Sequence, residues 1–160
     1  MANKSFSHLD ENSNPSMVDV SDKIETKRIA IAQSVVILNE EIMKMMVNGD
    51  IQTKKGAVFQ TAIIAGTMGA KRTSDLIPLC HPIGLDSCKF TIEASGNKVL
   101  INCTCSLTAK TGVEMEALMG ASIAALTIYD MCKAFSHDII IKETKLIEKK
   151  GGKSDYLFKE

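Results

Sequence analysis

The sequence LDSCKFTIEASGNKVLINCTCSLT, residues 85–108, predicts two antiparallel strands. Its two halves are joined by Ser95-Gly96-Asn97, and a Gly-Asn pair between strand-forming runs is a hairpin signal. We therefore expect strands at residues 85–95 and 98–108. Because a hairpin joins neighbouring antiparallel strands, we also expect an antiparallel sheet.

The longest predicted helix follows this hairpin, at residues 112–135. It is apolar on nearly all sides, which is typical of a helix buried in a core or between subunits. Residues 138–149 predict a last strand, and a Gly-Gly-Lys tail comes after it.

Upstream of the hairpin, residues 17–37 end in a β-branched stretch from Ile29 to Ile37, which predicts a strand. Asn39 then precedes two acids, as an N-cap does, and predicts a short helix that Gly49 can end. Residues 55–72 predict a second helix with many small residues. The segment 74–82 ends in a proline-rich loop.

This order of elements predicts an α+β fold, in which helices pack on one face of an antiparallel sheet. A ferredoxin-like sandwich fits the same order. Residues 1–16 are polar and rich in Ser and Asn, so we expect a flexible N-terminal arm. Residues 17–160 then form a single domain.

Composition excludes several classes of protein. The net charge is zero, so we do not expect a nucleic-acid partner. No apolar run approaches the length that crosses a bilayer, so we do not expect a membrane protein. Five cysteines, an odd number without CxxC pairs or a secretory signal, predict reduced thiols in the cytoplasm. Cys103 and Cys105 share one strand face, but a zinc site needs better-placed partners, and we expect no metal site.

Three charged residues stand out against their surroundings. Lys55 opens the predicted second helix, where it is either a solvated surface lysine or part of an anion site with free backbone amides. Asp130 and Lys133 are three residues apart on the apolar helix and share a face. They form either a local ion pair at a subunit edge or an acid–base pair with pKa values shifted by burial.

Other candidates are weaker by themselves. His81 lies between Pro78 and Pro82 beside Cys80, and a stiff loop positions side chains well. Glu114 and Glu116 lie in a helix N-terminal turn, where acids are common, and point to different sides. The basic, Gly-rich tail is not a P-loop. These patterns alone suggest a phosphate-bearing substrate and no more.

Longer motifs, in order along nearly the whole chain, closely resemble the MoaC family. They are Met-Val-Asp-Val-Ser (17–21), Lys-Arg-Thr (71–73), Leu-Ile-Pro-Leu-Cys-His-Pro (76–82), Gly-Val-Glu-Met-Glu-Ala-Leu (112–118), Ala-Leu-Thr-Ile-Tyr-Asp-Met-Cys-Lys-Ala (125–134) and Gly-Gly-Lys-Ser (151–154).

The resemblance implies a lyase of molybdenum-cofactor biosynthesis, a cyclic pyranopterin monophosphate synthase. Its substrate would be a 3′,8-cyclised dihydro-GTP, converted to cyclic pyranopterin monophosphate with release of pyrophosphate. It implies a ferredoxin-like subunit in a homohexamer, a trimer of dimers with active sites at the dimer interface. No resident cofactor is implied, although Mg²⁺ can accompany the pyrophosphate.

The resemblance also implies site residues. Lys55, Asp130 and Lys133 match catalytic positions of the family. Substrate-binding positions are matched by Leu79, Cys80, His81, Met115, Glu116, Glu114, Arg28, Lys149 and Lys153. The chain departs from the family pattern at Ser13 in the arm and at Asp155 in the tail, where glycines are common.

Two other functions stay open beside the enzyme. One is a nucleotide-binding module without catalysis, since a fold does not establish a function. The other is a structural subunit that uses the apolar helix as an assembly surface. A buried Asp130–Lys133 pair would favour the enzyme, because a pure binder has little use for it.

Overall fold

A computed structural model describes residues 12–159 of the chain. The main sheet has five strands in the order β5-β6-β1-β7-β8, and every neighbouring pair is antiparallel. Its strands are β1 (Thr26–Ile37), β5 (Ser87–Ser95), β6 (Lys98–Ala109), β7 (Ile140–Lys150) and β8 (Tyr156–Leu157).

The helices and a small second sheet complete the described part of the chain. The helices are α1 (Glu40–Met43), α2 (Val58–Lys71), α3 (Thr73–Leu76) and α4 (Glu114–Cys132). The short strands β2 (Met46–Val47), β3 (Asp50–Thr53) and β4 (Gly56–Ala57) pair in the order β2-β3-β4.

The predicted α+β class is confirmed. α4 lies on β1, β6 and β7, while α2 packs along α4 and touches β5. The face of β1 that points to the helices carries the buried Ala30, Ala32, Ser34 and Val36, because alternate residues of a strand share a face. The ferredoxin-like label and the division into arm and domain stay predictions, and residues 1–11 of the predicted arm lie outside the described residues.

Alanines, glycines and cysteines allow α4 to lie close to the sheet. Four alanines of α4 and the buried Ile128 and Cys132 face the core, where Ile101 and Val36 of the sheet meet them. By length and composition alone α4 is apolar enough to cross a bilayer, which corrects the expectation that no run approaches that length. Half of an 18-residue window of this helix is buried inside the fold.

Gly66 sets the distance between α2 and α4. A Cβ at this position would lie 2.6 Å from Phe90 Cζ and 2.8 Å from the backbone oxygen of Gly120. The two helices therefore touch backbone to backbone, and any side chain at Gly66 would push them apart.

We expect Gly66→Val to lower the free energy of unfolding by about 2–3 kcal/mol, because an overpacked helix contact strains its neighbours. Urea denaturation followed by circular dichroism measures the loss. Gly84→Val is the matched control, since a Cβ at Gly84 meets nothing within 4 Å. Equal losses in both variants would show that close helix packing is not the cause.

Lys55 is not part of a helix, contrary to the sequence-based prediction. It lies in the turn between β3 and β4, and α2 begins three residues later at Val58. Helical periodicity cannot distinguish a short hairpin from a first helical turn when both carry small and polar residues. The short helix after Asn39 is confirmed, with Asn39 Oδ1 accepting from the Ile42 N–H, but it ends at Met43 because β2 follows.

Candidate functional site

The predicted site residues fall into two groups at opposite ends of α4. Met115 and Glu116 lie in its first turn, and Asp130 lies in its last turn. Fifteen residues separate Met115 from Asp130, which at 1.5 Å per residue is about 22 Å. Within one chain, the structure therefore does not bring the two groups together.

The first group lines a cavity of about 380 Å³ at the N-terminal end of α4. The walls include Leu79, Cys80 and His81 of the proline-rich loop and Glu114, Met115 and Glu116 of the helix. Two motifs far apart in the sequence thus meet at one cavity. We call it the loop pocket.

The proline-rich loop is held by the segment before β1. The Nε2–H of His81 donates to the Val18 carbonyl at 2.8 Å, since a carbonyl can only accept. Val18 and Val20 also line the loop pocket. Neither valine was predicted as a site residue, although both lie in the Met-Val-Asp-Val-Ser motif. Their position in that motif is the sequence feature that could have identified them.

Glu116 is the buried acid of the loop pocket. Only 4% of it is exposed, and burial raises the pKa of its carboxyl to about 7. The Cys80 thiol lies on the same cavity, and its pKa is raised by burial and then by the negative charge of Glu116. A raised pKa keeps Cys80 a neutral thiol, which argues against a nucleophilic role.

The polar residues beside the loop pocket are mostly engaged with each other. Lys149 Nζ lies 3.2 Å from Glu114 Oε1, and Arg28 donates from Nε to the Ala109 carbonyl at 3.3 Å. Arg28, Glu114, Lys149 and Gly152 line one small crevice. Lys153 is exposed on the loop that follows.

Asp155, a departure from the family pattern, has a structural role in the tail. Its Oδ1 accepts the N–H of Gly151 at 3.0 Å, and Gly151 adopts a φ of 84° that favours glycine. The carboxylate thus closes the turn between β7 and β8. The Gly-Gly-Lys segment keeps a defined shape without a further glycine.

The second group is a charge cluster at the C-terminal end of α4. Asp130 Oδ1 lies 2.7 Å from Lys133 Nζ, and its Oδ2 lies 3.5 Å from Lys55 Nζ. Lys55 also donates to the backbone carbonyl of Asp130 at 3.4 Å. We call Lys55, Asp130 and Lys133 the lysine–aspartate triad.

The predicted burial of the Asp130–Lys133 pair is wrong for this chain. The side chains of Asp130 and Lys133 are 58% and 49% exposed, because they lie on the solvent side of the last turn of α4, whose other side buries Met131 and Cys132 in the core. The hydrogen bond and charge of Lys133, followed by the charge of Lys55, lower the pKa of Asp130. Asp130 raises the pKa of Lys133 in the same way. At neutral pH the triad is one carboxylate between two ammonium groups.

The model of the MoaC family matches residues 17–152. The chain belongs to the MoaC family. It is 52% identical over 151 residues to the cyclic pyranopterin monophosphate synthase of Xanthomonas axonopodis, covering 94% of this chain and 92% of that protein.

Two longer relatives of this MoaC-family chain are also similar to it. The molybdenum cofactor biosynthesis bifunctional protein of Synechocystis is 54% identical over 155 residues. Molybdenum cofactor biosynthesis protein 1 of Dictyostelium discoideum is 49% identical over 172 residues. The chain spans 45% and 27% of their respective lengths.

Glu116 is expected to make the stability of this MoaC-family chain depend on pH. Burial raises the pKa of its carboxyl from 4.5 to about 7. Between these two pH values, the folded chain therefore holds a proton that the unfolded chain has lost. The stabilising effect is complete below pH 4.5 and is lost as pH rises through 7. The loss is on the order of 3 kcal/mol.

Glu116→Gln should remove this decline, since glutamine stays neutral. Urea denaturation between pH 4.5 and 8 measures it, with Glu93→Gln, an exposed strand position, as control. An unchanged decline in Glu116→Gln would assign the pH dependence to another group.

Proposed function

We propose that this chain converts 3′,8-cyclised dihydro-GTP to cyclic pyranopterin monophosphate and releases pyrophosphate, as a lyase of molybdenum-cofactor biosynthesis. Membership of the MoaC family and the similarity to the cyclic pyranopterin monophosphate synthase of Xanthomonas axonopodis support this assignment. We place the reaction in the cytoplasm, where the five free thiols would stay reduced.

The observation that carries the proposal is the lysine–aspartate triad. Its members come from the β3–β4 turn and from α4, more than 70 residues apart in the sequence, and meet around one carboxylate. Asp130 is ionised and can accept a proton during ring rearrangement. Lys133 is protonated and can return one, while Lys55 offers a positive charge to the phosphates.

Pyrophosphate release follows from the same charges. When a hydroxyl of the substrate bonds to the innermost phosphorus and closes the cyclic phosphate, the inner phosphoanhydride breaks and negative charge develops on the leaving pyrophosphate. Lys55 is positioned to stabilise it, and Lys149 and Lys153 supply cations from the other group. We propose that Mg²⁺ enters, where it is needed, as the counter-ion of pyrophosphate rather than as a resident ion.

The loop pocket would bind the ring system. Leu79 and Met115 provide apolar surface, and a protonated Glu116 can donate a hydrogen bond that a carboxylate cannot. A largely apolar cavity with a few polar groups is typical of a small-molecule site.

We further propose that each active site is assembled from two copies of the chain. A separation of about 22 Å along α4 prevents one small substrate from contacting the loop pocket and the triad of a single chain. In a two-fold dimer the loop pocket of each chain would meet the triad of the other chain, so two complete sites form. The homohexamer, a trimer of dimers, would contain six.

The function is tested by assaying purified protein with enzymatically made 3′,8-cyclised dihydro-GTP. Pyrophosphate and the pyranopterin product should appear in equal amounts. Tight binding without release would favour the nucleotide-binding module. Failure to bind the substrate, pyrophosphate or GTP analogues would favour a structural subunit.

Subunit mixing tests the shared site. Asp130→Asn disables the triad, and Leu79→Trp fills the loop pocket, so each variant alone should be inactive. After unfolding and refolding together, half of the dimers are mixed and each has one intact site, so about a quarter of the activity should return. No recovery would place the whole site within one chain.

The exposed triad changes the comparison with the two alternative functions. Burial of Asp130 and Lys133 no longer distinguishes an enzyme from a binder in the single chain. The three-way ion pair does so instead, because a phosphate binder has no need of a carboxylate that neutralises its lysines. The enzyme therefore remains the function that the site supports best.

A further inference from the structure

Three cysteine sulfurs meet beneath α4, away from the loop pocket and the triad. Cys88 of β5 lies directly opposite Cys105 of β6, and Cys103 lies two residues away on the same face. The Sγ atoms are 3.9 Å apart for Cys88 and Cys103, 3.8 Å for Cys103 and Cys105, and 3.8 Å for Cys88 and Cys105. We call this nearly equilateral arrangement the thiol triangle.

The dimensions of the thiol triangle match metal coordination. The centre of an equilateral triangle with these sides lies about 2.2 Å from each corner, close to the roughly 2.3 Å of a zinc–sulfur bond. The same sides are far longer than the roughly 2.05 Å of a disulfide bond. All three cysteines are free thiols, so their sulfurs remain available as ligands.

We propose that Cys88, Cys103 and Cys105 form a three-thiolate binding site for one thiophilic closed-shell metal ion, Cu(I) or Zn(II). The sequence showed only that Cys103 and Cys105 share a strand face, which is too little for a metal site. The hairpin register brings the third sulfur from Cys88, seventeen residues before Cys105. Thiolates are soft ligands, which favour these two ions over Mg²⁺ or Ca²⁺.

The surroundings close the site on one side and leave it open on the other. On the helix side, a Cβ at Gly120 would lie 2.6 Å from Cys103 Sγ, so no further ligand fits there. On the other side, Cys88 is half-buried and lines a cavity of about 410 Å³ with Thr67, Lys71 and Asp86. This cavity gives an ion a route to the sulfurs, and Lys71 supplies positive charge near the anionic thiolates.

The two ions differ in the ligands they need. Three thiolates complete a trigonal Cu(I) site, whereas Zn(II) prefers four ligands in a tetrahedron. Within residues 12–159, no His, Asp, Glu or further Cys side chain joins the three thiols as a candidate ligand. Zn(II) would therefore take a solvent molecule from the cavity as its fourth ligand. Either ion displaces thiol protons, so its binding is linked to pH.

The test is anaerobic titration of the reduced full chain with Cu(I) or Zn(II) alone, each against a chromophoric competitor. We expect one equivalent of at least one ion to bind, with X-ray absorption showing three sulfur ligands at about 2.2–2.3 Å. Zn(II) would add one oxygen ligand and Cu(I) none. The bound ion should also raise the melting temperature.

Cys88→Ser is the informative variant. Cys88 is half-buried and lies on β5, the edge strand of the main sheet, so we expect its replacement to leave the core intact. It should abolish stoichiometric binding and the rise in melting temperature. Cys80→Ser and Cys132→Ser lie outside the triangle and should bind as the unmodified chain does. Cys103→Ala repeats the test from the buried side.

The proposal is overturned if neither ion binds with one-to-one stoichiometry. It is equally overturned if binding survives Cys88→Ser or disappears in Cys80→Ser, since the ion would then be held elsewhere. A Cys88→Ser chain whose melting temperature without metal equals that of the unmodified chain ensures that loss of binding does not reflect unfolding.

Discussion

Asp130→Asn is expected to lower kcat by about 10²- to 10⁴-fold, the range in which a positioned acid or base contributes to catalysis. Asparagine keeps the shape of the side chain but cannot accept the proton. Because Asp130 is 58% exposed, the substitution should leave the melting temperature nearly unchanged. A turnover assay with both products followed, beside a thermal melt, separates the two effects.

The pH–rate profile gives a second readout for Asp130. Lys133 and Lys55 hold the pKa of its carboxyl below the ordinary 3.8, so the base stays ionised and active well into acid. Glu143→Gln is the matched control, since Glu143 is also a partly exposed carboxylate paired with a lysine, Lys145. Normal turnover by Asp130→Asn would exclude the acid–base role.

Lys55→Ala is expected to lower kcat/KM by about 10- to 100-fold, because a charge-assisted contact to an anion contributes roughly 1.5–3 kcal/mol. The effect should be larger on kcat/KM than on KM, since charge on the leaving pyrophosphate grows in the transition state. Steady-state kinetics with varied substrate separates the two parameters.

Lys54→Ala provides the control for Lys55→Ala. Lys54 is the adjacent exposed lysine in the same turn, but Lys55 alone of the two forms an ion pair with Asp130. If Lys54→Ala reduced kcat/KM as strongly, the effect would be a general loss of positive charge. The proposed position of Lys55 at the leaving group would then be wrong.

The sequence predicted the large elements because each has a long, regular pattern. The hairpin of β5 and β6 follows from Ser95-Gly96-Asn97 between two strand-forming runs, and α4 follows from a long run that is apolar on nearly all sides. Short elements could not be predicted in this way. β2, β3, β4 and α3 have two to four residues each, fewer than a period needs to become visible.

The sequence predicted which residues belong to the candidate site but not how they are arranged in space. Motifs placed Leu79, Cys80 and His81 together because they are neighbours in the sequence. That they face Met115 and Glu116 depends on how α3 and α4 pack, which no local pattern encodes. The exposure of Asp130 was missed for the opposite reason. An apolar helix predicts burial on all sides, but the last turn of α4 buries Met131 and Cys132 and leaves Asp130 on its solvent side.

The residue that caps α2 was not visible in the sequence. Ala57, at the N-cap of α2, provides no side-chain hydrogen bond, and Asp50 of β3 accepts from the N–H groups of Phe59 at 2.7 Å and Gln60 at 3.1 Å instead. Such a cap, nine residues upstream, lies outside the local spacing by which caps are recognised.

This remote cap ties the start of β3 to the first turn of α2, on either side of the turn that carries Lys55. We expect a large outward movement of that turn to break the two hydrogen bonds that Asp50 accepts. Hydrogen exchange at Phe59 and Gln60 therefore reports the opening of that turn, residue by residue. When an anionic ligand holds Lys55 in place, those two protons should exchange more slowly. A backbone measurement at the start of α2 would then follow the occupancy of the site.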